Sequence, residues 1–137
     1  GSGDDLLIGG AGSDTLTGGW GVDTFKFQPG DLTGGAVDYI SDFQTGSNGD
    51  IIDLSELLSG ASGNKADLVR FEYANGATEL LSHSGSAPGV NGDVTLQVNV
   101  SGTWTDVATI HDTGSNLTNH DDIIRILLDS TVITHNI

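Results

Sequence analysis

A nine-residue interval organises the groups in this sequence that can do chemistry. Asp5, Asp14 and Asp23 recur at that spacing. So do Gly1, Gly10 and Gly19, then Gly3, Gly12 and Gly21, then Leu7, Leu16 and Phe25, while Gly9 and Gly18 fill a further glycine position. Residues 9–17 read GGAGSDTLT and residues 18–26 read GGWGVDTFK, which is the pattern G-G-x-G-x-D-x-U-x with U a large apolar residue. The chemistry these types offer is ligation of a hard cation. Glycines that accept positive φ let six residues form a tight turn with its carbonyls facing inward. The aspartate that closes the turn adds a short carboxylate to that ring of oxygens. Calcium takes six to eight oxygen ligands in flexible geometry, and carbonyls with carboxylates meet that demand.

The elements that must position these groups follow from the same phase. Each x-U-x triplet is a very short strand whose apolar side chain points into a thin core. Two nonapeptides complete one coil, so turns eighteen residues apart stack on one edge. Asp5 and Asp23 are expected to share an edge, with Asp14 on the opposite one. A flexible linker rich in Gly and Asp would share the composition but leaves the phased Leu7, Leu16 and Phe25 without a reason.

These residues resemble the RTX (repeats-in-toxin) family exported by bacterial type I secretion systems. The resemblance implies a parallel β-roll with calcium held between successive turns. Carried over by position, Asp5, Asp14 and Asp23 are the side-chain ligands, and carbonyls around Gly1, Gly3, Gly10, Gly12, Gly19 and Gly21 complete the sites. A fourth repeat would need Gly30 and an aspartate at 32, but that position is Leu32 and Asp31 is one step out of phase. The repeats are therefore expected to end at residue 32, and the Asp14 site needs a ligand from further along.

Residues 23–58 carry DTFKF, then DYISDF at 38–43, then GDIIDLSELL at 49–58. This is similar to the closing segment of type I secretion substrates, and by that likeness Asp38 is a late calcium ligand with Asp42 second. Asp42 reads equally well as turn chemistry. Asp50 and Asp53 read as turn and helix-cap residues, with Asp53 or Ser55 capping a turn at 56–58. Alternation makes 38–43 a strand that sends Ile40 and Phe43 to the core. Further on, 68–73 and 78–82 form strands joined at Asn75-Gly76, and 94–100 with 104–110 form a hairpin turning at Ser101-Gly102. Ile123, Ile124, Leu127 and Leu128 follow a helical period, which predicts a helix over 119–129 behind Thr118. A β-prone piece, 131–137, ends the chain. The fold class expected is mainly β: a short parallel roll at 1–32 and, in one continuous domain, an antiparallel cap at 33–137 with one or two short helices.

Composition narrows the partners. Nineteen acidic residues, sixteen of them Asp, face four basic ones, for a formal charge of −15. Such a surface repels nucleic acid and anionic membranes, which need Lys and Arg to displace counterions. No apolar run is long enough to span a bilayer. Cysteine is absent, so disulfides do not hold the fold, and a bound metal is the natural substitute outside a cell. The absence of methionine predicts a processed or excised fragment.

No HExxH, GxSxG, Walker or dinucleotide motif is present, so no enzyme is expected. His83, His111, His120 and His135 lack metal spacing. Trp20 and Trp104 read as packing residues rather than sugar platforms. The function expected is a monomeric, calcium-binding C-terminal module of a secreted or surface-bound bacterial adhesin, engaging the type I secretion machinery through a signal near its end. The alternatives are the equivalent tail of a secreted protease or lipase, or a module binding sugar or ice.

Overall fold

The computed structural model describes residues 3–10, 12–30, 36–44, 49–61, 63–74, 76–82, 93–100, 102–111, 123–128 and 132–136. Eleven strands have defined bounds within them: β1 Leu6–Ile8, β2 Thr15–Leu16, β3 Thr24–Lys26, β4 Asp38–Ile40, β5 Ile51–Asp53, β6 Val69–Glu72, β7 Thr78–Leu80, β8 Val94–Asn99, β9 Trp104–Ile110, β10 Ile123–Leu127 and β11 Val132–Asn136. They form a five-stranded sheet in the order β1-β3-β5-β10-β11 and a six-stranded sheet in the order β2-β4-β9-β8-β6-β7.

The first five strands alternate between the two sheets because each nonapeptide supplies one strand too short to turn back on itself. A parallel partner must then come from the next coil. Leu7 pairs with Phe25, Phe25 with Ile52, and Leu16 with Ile40, all parallel. This parallel stacking continues beyond residue 32, since β4 pairs β9 and β5 pairs β10 in the same sense. Only past β9 and β10 do the pairings become antiparallel, through β8, β6 and β7 in one sheet and β11 in the other.

The phased apolar positions meet in one core between the sheets. Phe25, Ile52 and Ile126 face it from the first sheet, and Ile40, Leu96 and Ile110 from the second, all fully buried. Phe43 joins Phe25 with ring centres 6.0 Å apart, so the DYISDF segment does send Ile40 and Phe43 inward. The two hairpins form as their patterns predict. Gly76 (φ 87°) and Gly102 (φ 85°) supply the left-handed residue of each turn, while Asn75 and Ser101 lie outside the described residues.

The helix over 119–129 does not form, because 123–127 is strand β10. Its Ile-Ile start favours extended backbone, and the open parallel edge of β5 supplies hydrogen-bond partners that a helix would leave unused. Residues 119–122 of that expectation lie outside the described residues. No α-helix occurs among the described residues. The short helices expected in the cap reduce to a 3-10 turn at Lys65–Leu68, capped where the Ala66 N–H donates to Asn64 Oδ1 at 3.1 Å. Around 53–58 the capping expectation holds locally, since the Ser55 N–H donates to Asp53 Oδ1 at 2.9 Å. Trp104 packs, with the Arg70 guanidinium 4.3 Å over its ring. Trp20, read as a packing residue, is instead 78% exposed at its turn.

Candidate metal centres

The turns that precede the strands stack along two edges, and at each step the same pair of hydrogen bonds ties one aspartate to the next. The Asp5 N–H donates to Asp23 Oδ1 at 3.0 Å, while the Asp5 carbonyl accepts from the Thr24 N–H at 2.8 Å. One coil further, the Asp23 N–H donates to Asp50 Oδ1 at 2.9 Å and the Asp23 carbonyl accepts from Ile51 at 2.9 Å. On the opposite edge the Asp14 N–H donates to Asp38 Oδ1 at 2.8 Å and the Asp14 carbonyl accepts from Tyr39 at 2.7 Å. The columns are thus Asp5–Asp23–Asp50 and Asp14–Asp38, with sequence separations of 18, 27 and 24 residues.

Asp5 and Asp23 share an edge as their spacing predicts, and Asp38 is the carboxylate that meets Asp14. Asp50, read from sequence as turn chemistry, stands to Asp23 as Asp23 stands to Asp5. It follows Asp23 by 27 residues, three nonapeptides instead of the two of a regular coil, so counting coils assigns it to the opposite edge. Its position directly before a strand, shared with Asp5 and Asp23, is the signal that reveals it.

The glycines hold the turns in the left-handed region. Gly3, Gly10, Gly12, Gly19 and Gly21 have φ between 77° and 99°. Gly1 lies outside the described residues. Asp42 plays a different part from the columns. Its two oxygens accept from the Gly18 N–H at 2.9 Å and the Gly19 N–H at 2.7 Å, so it pins the turn before Asp23. Asp4 ties the same turn from the other side, accepting from the Val22 N–H at 2.8 Å.

Among the described residues, two buried side-chain oxygens have no partner: Asp14 Oδ2 and Asp23 Oδ2. An orphaned carboxylate oxygen inside a fold costs several kcal/mol by order of magnitude unless something positive meets it. The space beside each is kept by a glycine. A methyl group on Gly18 would lie in contact with Asp23 Oδ2, and one on Gly9 would lie 2.5 Å from Asp38 Oδ2 and 3.4 Å from Asp14 Oδ2. Two carboxylates therefore converge on Gly9. Among the described residues no three Asp, Glu or His side chains gather as a cage. Paired carboxylates supplemented by turn carbonyls are what calcium accepts and what zinc, which wants nitrogen or sulfur donors, does not. The residues fit calcium.

Burial holds the Asp50 carboxyl above the ordinary carboxylate range. The N–H groups of Asp23 and Gln44 offset this in part, and the carboxylates of Asp23 and Asp42 add to it. The folded chain therefore binds this proton more tightly than the unfolded chain does. The resulting stability is present below the unfolded value of 3.8 and is lost as pH rises through the folded one. In chelator, thermal midpoints are expected to fall as pH rises above the unfolded value of 3.8, and Asp50→Asn should flatten that slope. Equal slopes in the two proteins would remove Asp50 as the cause.

A family profile described as RTX calcium-binding nonapeptide repeat (4 copies) matches residues 1–31. Among solved structures, the chain is similar to the C-terminal domain (RV) of MpAFP, at 30% identity over 100% of this chain and 96% of that one, with a TM-score of 0.58. No curated protein matches the sequence.

Proposed function

The chain belongs to the family of the C-terminal domain (RV) of MpAFP and opens on RTX calcium-binding nonapeptide repeats, and from that premise we propose that it is a calcium-folded terminal module of a type I secreted bacterial adhesin. The observation that carries this reading is the pair of orphaned oxygens, Asp14 Oδ2 and Asp23 Oδ2, one in each aspartate column. The module is non-enzymatic and monomeric, it acts outside the cell or on its surface, and its C-terminal part carries the export signal.

The physics is coupled folding and binding. A bound calcium ion supplies the positive charge that the stacked carboxylates lack. Without it, Asp23 and Asp50 oppose each other inside a buried column, and the glycine turns lose much entropy on ordering. Asp23 Oδ1 and Asp38 Oδ1 fix the register of the turns through the N–H groups of Asp5 and Asp14. The Oδ2 atoms of the same two carboxylates then face the space kept by Gly18 and Gly9. Asp42 orders the turn at Gly18 and Gly19 from outside. Extracellular calcium modules have dissociation constants of roughly 10⁻⁴–10⁻³ M, so such sites are empty in cytosol and filled outside. The repeat turns stay disordered for export and order on emerging.

Far-UV circular dichroism tests this directly. β content should rise cooperatively with calcium in the range of about 10⁻⁴–10⁻³ M, and magnesium at the same concentration should not replace it. The same spectrum in chelator as in calcium would defeat the reading.

An ice- or sugar-binding surface draws on one row across the second sheet, Thr15–Tyr39–Thr109–Thr95–Glu72–Thr78. Tyr39 and Glu72 interrupt it, so the hydroxyl groups do not form the regular array that such a surface needs.

A further inference from the structure

The first-edge column ends differently from the way it begins. β10 pairs β5 with Arg125 opposite Ile51, which makes Arg125 the next member of the series Leu6, Thr24, Ile51. The register position that carried Asp5, Asp23 and Asp50 is then taken by Ile124, and the carboxylates stop. In their place a guanidinium arrives. Arg125 Nη1 donates to the carbonyl of Gly49, the buried residue immediately before Asp50, at 2.9 Å across 76 residues of sequence.

The last turn is otherwise closed by its own groups. The Gln44 N–H donates to Asp50 Oδ2 at 2.9 Å, and the Asp50 N–H donates to the Gln44 carbonyl at 2.8 Å. With Asp50 Oδ1 accepting from Asp23, both oxygens of Asp50 are engaged, whereas Asp14 and Asp23 each keep a buried oxygen without a partner. The chain has only four Lys and Arg residues against nineteen acids, so a cation placed here is a scarce resource.

We propose that Arg125 is a fixed end-cation for this column: its guanidinium holds the Gly49–Asp50 turn in register before any ion binds, so that the column is templated from the Asp50 end. This rests on the calcium reading above, but it makes a separate demand. A charge-assisted bond from a guanidinium to a turn carbonyl needs no metal and keeps its strength in chelator. The Asp50 turn should be ordered in apo protein, and the turns at Asp5 and Asp14 should not.

Amide hydrogen exchange on the full chain separates the two ideas. In chelator, the N–H groups of Gln44 and Asp50 should be protected in the wild type and in Arg125→Lys, which keeps the charge. In Arg125→Gln, which keeps a neutral donor, they should exchange about tenfold faster or more. The N–H groups of Asp5 and Asp14 should gain protection only on adding calcium, in all three proteins. If those two ignore calcium in the wild type, the calcium reading fails, and the Arg125 comparison still stands as measured. If Arg125→Gln matches the wild type, or Arg125→Lys loses as much protection as Arg125→Gln, the end-cation is refuted. An Arg125→Gln chain that cannot fold in saturating calcium while Arg125→Lys can counts for the proposal.

Discussion

Asp23→Ala is expected to raise the calcium concentration at half-maximal folding by about ten- to a hundredfold, while making the chain no less stable in chelator. The asymmetry comes from what Asp23 does. Its Oδ1 holds the Asp5 N–H at 3.0 Å, and its Oδ2 is buried with no partner. Alanine removes both, so the Asp5 turn loses its anchor and the proposed site loses a carboxylate. The bond from the Asp23 N–H to Asp50 Oδ1 survives, because it does not involve the Asp23 side chain. In chelator the same change removes a fully buried, uncompensated charge, which is a gain. Asp23→Asn sharpens the test. It keeps an acceptor for Asp5 but replaces the orphaned oxygen by an amide donor, so calcium dependence should shift nearly as far as with alanine. Calcium titrations followed by circular dichroism, together with thermal midpoints in chelator, give both readings. An unchanged calcium midpoint would show that Asp23 is no ligand. A loss of stability in chelator equal to that in calcium would make its role merely structural.

How far the sequence reveals this site depends on whether spacing or packing brings a residue there. Asp5, Asp14 and Asp23 were legible because the nonapeptide phase and the coil geometry are one fact: eighteen residues return the chain to the same edge. Asp38 was legible through the DYISDF segment. Asp50 was not, because it follows Asp23 by three nonapeptides and not two, which the coil count assigns to the opposite edge, and only pairing of β5 with β3 puts it under Asp23. Alternation predicted both hairpins correctly, since each has one buried face and a glycine at its turn. β10 misled because Ile123, Ile124, Leu127 and Leu128 satisfy a helical period as well as a strand's. The open edge of β5, which no local pattern encodes, decided between them. The exposed Trp20 reflects the same limit. A residue between Gly19 and Gly21 sits at the tip of a tight turn, where no packing partner reaches it.

Gly21→Ala is expected to disrupt the first coil, and Gly12→Ala to leave it formed. Both glycines have positive φ, 99° and 89°, so an alanine at either is strained by about 1–2 kcal/mol. The difference lies in what surrounds them. A methyl group on Gly12 would meet nothing within 4 Å, so its cost ends with the backbone. A methyl group on Gly21 would lie 2.5 Å from the Gly3 carbonyl oxygen and 2.6 Å from its carbon. These are backbone atoms of the stacked turn and no rotamer change can clear them. Relief requires the turn at 3–5 to move away from the turn at 18–23. That movement breaks the bond from Asp5 to Asp23 Oδ1 and the one from Thr24 to the Asp5 carbonyl. Calcium should bind Gly12→Ala with wild-type stoichiometry and a modestly weaker midpoint. Gly21→Ala should lose one ion by calorimetric titration, and the Thr24 N–H should exchange freely even in saturating calcium. If both variants keep every ion and differ only by the shared backbone strain, the close stacking of Gly21 on Gly3 does not shape the site.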